Sequence, residues 1–199
     1  MDGYQKVVYE KSNVIYYLFL FSIFMYMVIY FGLIIFISTF HSTYSVISVT
    51  ASLAPLGLFL LFLAVIWKYT NLKKEQSVRR AILAVAWLSL VPSLYCVIAL
   101  GIYEYESNFV ADRWENSPTD RAYMVDDFLN ENELIGQSKE NIVNLLGAPD
   151  ETKYLIEKSK VVYNLGSGRL LIPIDNEYLV IWLDASDKVL TYEIALEHY

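Results

Sequence analysis

The chain has 199 residues, of which 56% are hydrophobic, 16% aromatic and 19% charged, with a formal net charge of −7 and a mean hydropathy of +0.37. Soluble domains run roughly 45–50% apolar and about 25% charged, so this balance excludes a disordered chain, a collagen-like repeat and a highly charged nucleic-acid binder, and it favours a membrane protein. The charge is divided unevenly: residues 1–103 hold seven Lys or Arg against three Asp or Glu, a net of +4, and residues 104–199 hold eight against nineteen, a net of −11.

No Asp, Glu, Lys or Arg occurs from Ser12 to Trp67, a run of 56 residues. One helix of that length would reach about 84 Å, against a hydrocarbon core of roughly 30 Å. The run must therefore break, and Ser38-Thr39-Phe40-His41-Ser42-Thr43-Tyr44-Ser45 is its polar stretch. The reading is a first span over about 14–37 and a second over about 46–67. A third uncharged run, 81–103, is about 34 Å long as a helix and crosses with modest tilt. The first run is too long for the roughly 7–15-residue core of a signal peptide and lacks a small-x-small cleavage site, so it reads as a retained helix.

Lys6 and Lys11 precede the first span, Lys68, Lys73, Lys74, Arg79 and Arg80 lie between the second and third, and the 38–45 loop has no Lys or Arg. The positive-inside rule then predicts a cytoplasmic N-terminus and 68–80 loop, with residues 104–199 outside. The spans hold no charge, which argues against a proton- or ion-coupled transporter. Pro55 and Pro92 fall inside spans, where neighbouring helices absorb a kink. Ser48-x-x-x-Ser52 and Ser89-x-x-x-Ser93 have the spacing of closely packed helices, so a homo-oligomer through the membrane helices is one expected association. Cys96, the single cysteine, lies in an apolar run and reads as a buried inert thiol. His41 has no second ligand near it in sequence and reads as an interfacial polar residue, not a metal ligand.

Residues 104–118 read as a polar linker in which Trp114 sits against lipid or docks on the domain that follows. A helix is predicted from about Thr119, with Val125, Phe128 and Leu129 at helical spacing. Asp126 and Asp127 are adjacent, do not face each other on a helix, and read as a solvated face. A second helix follows: Ser138 suits the N-cap, Ile142, Val143, Leu145 and Leu146 form an apolar face, Gly147 suits a left-handed terminating position, and Pro149 prevents continuation. Strands are predicted over 161–165, ending at Gly166-Ser167-Gly168, and over 178–183 and 189–194. Asp184–Asp187 turns the last two into an antiparallel hairpin, with Leu190, Tyr192 and Ile194 on one face. Gly166-x-Gly168 lacks the third glycine and following helix of a dinucleotide site. The fold class expected is a membrane anchor of three transmembrane α-helices over 1–103 plus a small α+β domain over 119–199, ordered α-α-β-β-β, with two helices on an antiparallel sheet.

The segment Leu134-Ile135-Gly136-Gln137-Ser138-Lys139-Glu140-Asn141-Ile142-Val143-Asn144-Leu145-Leu146-Gly147-Ala148-Pro149-Asp150 resembles the L-x-G-x-[ST]-x-x-[EDN]-[VI]-x-x-L-L-G-x-P-D signature of the SmpA/OmlA, or BamE-like, domain of bacteria. The preceding helix, with Arg121 and Met124-Val125-Asp126-Asp127-Phe128-Leu129, and the hairpin Tyr178–Leu183 with Lys188-Val189 are similar to the flanking parts of that domain. The resemblance covers about 119–195. It implies an α-α-β-β-β fold in a cell-envelope protein that works by protein–protein contact. The matching residues Leu134, Gly136, Ser138, Leu145, Leu146, Gly147 and Pro149 are implied to be packing and capping positions. The lipidated cysteine typical of such proteins is absent, since Cys96 follows Ser93-Leu94-Tyr95 and forms no lipobox.

No catalytic, cofactor or metal site is expected. Outside the membrane half there is no Cys, and the one His is His198, which argues against Cys/His nucleophilic catalysis and a His-based zinc site. No pair of acids stands out for carboxylate-based hydrolysis. The expectation is an integral protein of the cytoplasmic membrane whose partners are the bilayer and another envelope protein, with no nucleic acid. The competing expectation is a membrane sensor whose domain binds a small ligand between Tyr163, Tyr178, Trp182 and Tyr192.

Overall fold

The computed structural model describes residues 3–69, 76–150, 159–167 and 175–196, with side chains from residue 14 onward in the first helix and through residue 68 in the second. Lys73, Lys74, Gly168 and His198 lie outside the described residues. The chain divides after Gly101 into two units.

The first unit consists of α1 (Gly3–Phe40), α2 (Val46–Tyr69), α3 (Gln76–Leu88) and the start of α4 (Leu90–Ser107). Three stretches are long and apolar enough to cross a membrane: Val14–Phe40, Val46–Lys68 and Gln76–Ser107, the last formed by α3 and α4 together. The polar break between α1 and α2 has a defined structure. His41 takes a left-handed φ of 43°. Ser45 then caps α2, its hydroxyl accepting from Ser48 N at 3.1 Å, while Ser48 Oγ accepts from Ser45 N at 2.8 Å. This reciprocal pair satisfies two backbone donors and sets where the second span begins.

Each helix buries one narrow stripe. It runs Tyr26, Tyr30 and Ile37 on α1, then Ser52, Phe59, Leu63 and Ile66 on α2, and Ile82, Ser89, Ser93, Cys96 and Leu100 on α3 and α4. The steps are combinations of three and four residues, the spacing of knobs-into-holes packing. The remaining faces carry exposed Leu, Ile, Val and Phe, as helices immersed in lipid require. Of the two serine pairs, Ser52, Ser89 and Ser93 lie in the packed stripes, whereas Ser48 serves the cap.

A common device joins the helices at the prolines. A proline lacks the N–H that would bond the carbonyl four residues earlier and disturbs the turn before it. Tyr30 Oη donates to the Ser52 carbonyl at 2.7 Å, three residues before Pro55. Tyr26 Oη donates to the Ser89 carbonyl, three residues before Pro92. Both prolines close the same sequence pattern, Ser52-Leu53-Ala54-Pro55 and Ser89-Leu90-Val91-Pro92. Tyr26 and Tyr30 stand one turn apart on α1, with ring centroids 4.7 Å from each other. One aromatic stripe thus serves both neighbouring helices.

The second unit contains α5 (Ala111–Asn116), a 3-10 turn (Pro118–Asp120), α6 (Arg121–Glu131), α7 (Lys139–Leu146), β1 (Lys160–Gly166), β2 (Glu177–Leu183) and β3 (Val189–Leu196). The strands form an antiparallel sheet in the order β1-β2-β3. The α-α-β-β-β succession holds, with one addition. Residues 104–118 are not a polar linker: α4 runs to Ser107, α5 follows, and Trp114 is fully buried in the core of the unit. Its ring lies 5.9 Å from Phe128 and 6.3 Å from Tyr163. A six-residue helix does not hold its shape alone, so Trp114 burial is what fixes α5.

The core is one-sided. Val161 pairs with Ile181 and Tyr163 with Leu179, and these residues meet Ala122, Val125 and Phe128 of α6 and Ile142 and Leu146 of α7. The expected alternation of β3 fails at Leu190. Leu183 pairs with Val189 but Trp182 pairs with Thr191, so Leu190 is an extra, bulged residue. Val189 is buried and Leu190 exposed, and the inward face resumes at Tyr192. A bulge shifts the period by one, which turns Leu190 away from the Tyr192 face.

The weight carried by Trp114 is testable. Trp114→Ala is expected to destabilise the second unit by about 3–5 kcal/mol. Its indole Nε1 is buried and has no hydrogen-bond partner among the described residues. Trp114→Phe keeps the ring and removes that unsatisfied donor, so its cost is expected to stay below about 2 kcal/mol. Thermal and denaturant unfolding of the full chain in detergent measures both.

Candidate functional site

The described residues bring together one buried cluster of polar groups, in the second unit around Arg121. Arg121 is the first residue of α6 and only 4% exposed. Its Nε donates to the Trp114 carbonyl at 2.7 Å. Its Nη1 reaches Asp150 Oδ2 at 2.7 Å and the Asn164 carbonyl at 3.2 Å. The guanidinium also stands 5.5 Å from the centre of the Trp114 ring, within cation–π range. Asp150 Oδ2 accepts a second bond, from Asn164 N at 2.7 Å, and Asp150 N donates to Val162 O at 3.0 Å. The last residue of the signature segment thereby pairs along β1 and at the same time holds the cation of α6.

The rest of the signature segment surrounds this node. Leu134 and Leu146 are buried in the core and Leu145 packs partly against it. Gly136 has φ +82°, which favours glycine, and its N–H donates to Val189 O at 2.8 Å. Ser138 caps α7, its side chain accepting from Asn141 N at 3.3 Å, and its backbone bridges Lys188. Gly147 ends α7 with φ 75° and ψ −169°. The positive φ matches expectation, but the extended ψ is not the left-handed helical value. It belongs to a region open almost only to glycine, and it leaves the Gly147 carbonyl accepting from Tyr163 Oη at 3.0 Å. Pro149 is half-buried between Gly147 and Asp150. Gly166 is also at positive φ, and a Cβ there would lie 3.2 Å from Thr119 Cα. The bulge that Gly166 closes in β1 is thus also where the strand meets the chain just before α6.

This cluster is a strut, not a reaction centre. The hydrogen-bonding atoms of Arg121 and Asp150 named here are committed to protein partners. Burial pushes the Tyr163 phenol well above the ordinary tyrosine range, with nearby Arg121 opposing weakly, so the group stays protonated and serves as a donor. Asp127 accepts from Phe109 N at 2.6 Å, which makes it a local brace. No group of three or more His, Cys, Asp or Glu among the described residues is arranged to hold a metal. The four aromatics expected to share a ligand pocket do not share a face. Tyr163 pairs with Leu179 and Tyr192 with Ile181, both on the inner side, whereas Tyr178 and Trp182 alternate onto the other side of β2. Sequence reading noted Arg121 and Asp150 separately and missed their pairing. The available signal was a single cation opening an otherwise apolar helix face.

Comparison with protein-family models, with curated proteins and with solved structures finds no match for this chain.

Two consequences follow from the node. Asp150→Ala leaves a buried guanidinium uncompensated and is expected to cost about 3 kcal/mol. Arg121→Met combined with Asp150→Ala removes both charges and is expected to cost less than the sum of the single changes, as a double-mutant cycle by denaturant unfolding measures. Tyr163 supplies the second. Its folded pKa is raised, so its contribution is complete below the ordinary tyrosine value of about 10 and is lost as pH rises beyond it. Wild type is expected to lose more stability than Tyr163→Phe between about pH 9 and pH 11, read as the difference in their melting temperatures.

Proposed function

We propose that the chain is a non-enzymatic integral protein of a bacterial cytoplasmic membrane whose second unit is an extracytoplasmic, BamE-like protein-interaction domain with a structural or assembly role in the envelope. The three apolar helices form the anchor. The lysine and arginine distribution around them supports a cytoplasmic N-terminus and a second unit outside. The resemblance of residues 134–150 to the SmpA/OmlA signature supports the family reading, and the α-α-β-β-β order fits it.

One observation carries the interaction role. Ile135 is 62% exposed and Leu190 64% exposed. They flank the same backbone hydrogen bond, Gly136 N to Val189 O, because the tight turn at Gly136 and the bulge at Leu190 each turn a large aliphatic side chain outward. Two exposed aliphatics brought to one place on a strongly acidic domain form a small apolar centre with a polar surround, the anatomy of a protein contact.

A photo-crosslinking residue placed at Ile135 or Leu190 in intact cells is expected to yield a discrete adduct with another envelope protein. Ile135→Glu and Leu190→Glu are expected to abolish complex formation without lowering the melting temperature. Leu190→Cys is expected to react with a membrane-impermeant maleimide added outside the cytoplasmic membrane. Labelling only after lysis would overturn the orientation, and crosslinks to lipid alone would overturn the interaction role.

A further inference from the structure

The first unit contains a cleft of about 450 Å³ between α1, α2 and the α3–α4 helix pair. From this cleft we infer that the anchor holds one acyl chain of a membrane phospholipid as a bound ligand, a role distinct from presenting the second unit.

The chemistry of the walls admits a hydrocarbon and little else. Ile23, Met27 and Ile34 line it from α1, Phe59 from α2, and Val85 and Pro92 from the α3–α4 side. Of its polar members, Tyr26 and Ser89 are already bonded to each other through the tyrosine hydroxyl and the serine carbonyl, Ser89 Oγ donates to Ala86 O at 2.8 Å, and Tyr95 stands at the exposed rim. A ligand with a polar group at this depth would meet no free donor or acceptor from that pair and would lose its own hydration. The cleft lies between the levels of Ile23 and Ile34 in a span that runs Val14–Phe40, so it falls around the middle of the hydrocarbon zone.

Its shape selects the kind of occupant. At 1.5 Å per residue, Ile23 and Ile34 are about 17 Å apart along α1, and the cleft volume spread over that length gives a mean cross-section of about 26 Å². An α-helix about 10–12 Å across is wider than this, so a neighbouring helix offers the cleft side chains but does not lie within it. A single file of methylenes does. The cleft is open at its rim, where Met27, Val91 and Tyr95 are exposed, so a chain enters sideways from the surrounding leaflet. The walls do not collapse onto one another because Tyr26 is braced against Ser89 on one side and stacks on Phe59, centroids 4.5 Å apart, on the other. An empty cleft would forfeit dispersion contacts along its whole wall, which an ordered chain restores.

The test uses the full chain in nanodiscs of phosphatidylethanolamine and phosphatidylglycerol, doped with a phospholipid that carries a diazirine near the end of one acyl chain. After illumination, adducts at Ile23, Met27, Ile34 and Val91 are expected to exceed those at Leu58 and Leu61 by about 5-fold or more, although Leu58 and Leu61 are themselves widely exposed. Val85→Trp, which fills the cleft, is expected to erase the excess, while Leu58→Trp leaves it unchanged. Uniform labelling of the exposed faces in the wild type overturns the inference without any variant having to fold. So does an excess that survives filling in Val85→Trp with wild-type circular dichroism.

Discussion

The ion pair between Arg121 and Asp150 is the constraint on which the second unit depends. Its geometry explains why elements far apart in sequence meet where they do. One guanidinium donates to the carbonyl of Trp114 in α5, to the carboxylate that follows α7 and to the carbonyl of Asn164 in β1. A three-stranded sheet with short helices has too few layers to bury its edges by hydrophobic contact alone. The pair supplies a directional tie at that edge. Isolated from its hydrogen bonds, a buried pair adds little net stability, because desolvation of the two charges offsets their attraction. Here the same carboxylate oxygen also binds Asn164 N, so the pair fixes which stretch of β1 faces α6. Its contribution is to specificity of arrangement more than to free energy.

The first unit meets a related problem with opposite means. In a hydrocarbon environment a charge is costly and an unsatisfied carbonyl is too. The prolines of α2 and α4 disturb the helical turn before them, and tyrosine hydroxyls from α1 bond carbonyls of those turns. A hydroxyl on a large aromatic ring suits this task, since the ring adds packing area while the polar tip reaches one acceptor. Both units therefore use long side chains with a polar end to bind main-chain carbonyls from neighbouring elements. The cationic version appears in the acidic unit and the neutral version in the apolar one.

Much of this was legible from the residues. The three spans follow from uncharged length, because an apolar helix in lipid has no other requirement. The start of α7 at Ser138 and its end at Gly147 were equally readable, since caps are local chemistry. What failed were features that depend on partners distant in sequence. Trp114 lies among Asp112, Arg113, Glu115 and Asn116, and such a neighbourhood reads as a linker. A short helix has one inward position per turn, however, and one tryptophan fills it. Leu190 illustrates a second kind of failure. Alternation over 189–194 looked regular, but one inserted residue inverts the period, and nothing in the residues themselves marks the insertion. The grouping of Tyr163, Tyr178, Trp182 and Tyr192 failed for the same reason: aromatic composition says nothing about which side of a strand each ring takes until register is known.

The bulge and the glycine turn show how fold and proposed contact are linked. If β3 ran without its extra residue, Leu190 would alternate inward with Tyr192 and the strand would present Thr191 and Glu193 outward without a break. Inserting one residue keeps Val189 in the core, where it pairs with Leu183, and moves an aliphatic side chain out. The turn at Gly136 does the same to Ile135, because a φ of +82° redirects the chain immediately before the Ser138 cap. Each exposed aliphatic is thus the by-product of a backbone irregularity that the fold holds in place by hydrogen bonds to Val189 on both its N–H and its carbonyl. A side chain fixed in that way loses little freedom on binding, which favours a rigid contact over an adaptable one. The net charge of −11 on residues 104–199 acts at longer range, disfavouring anionic surfaces and favouring, for the proposed contact, a partner of neutral or basic character.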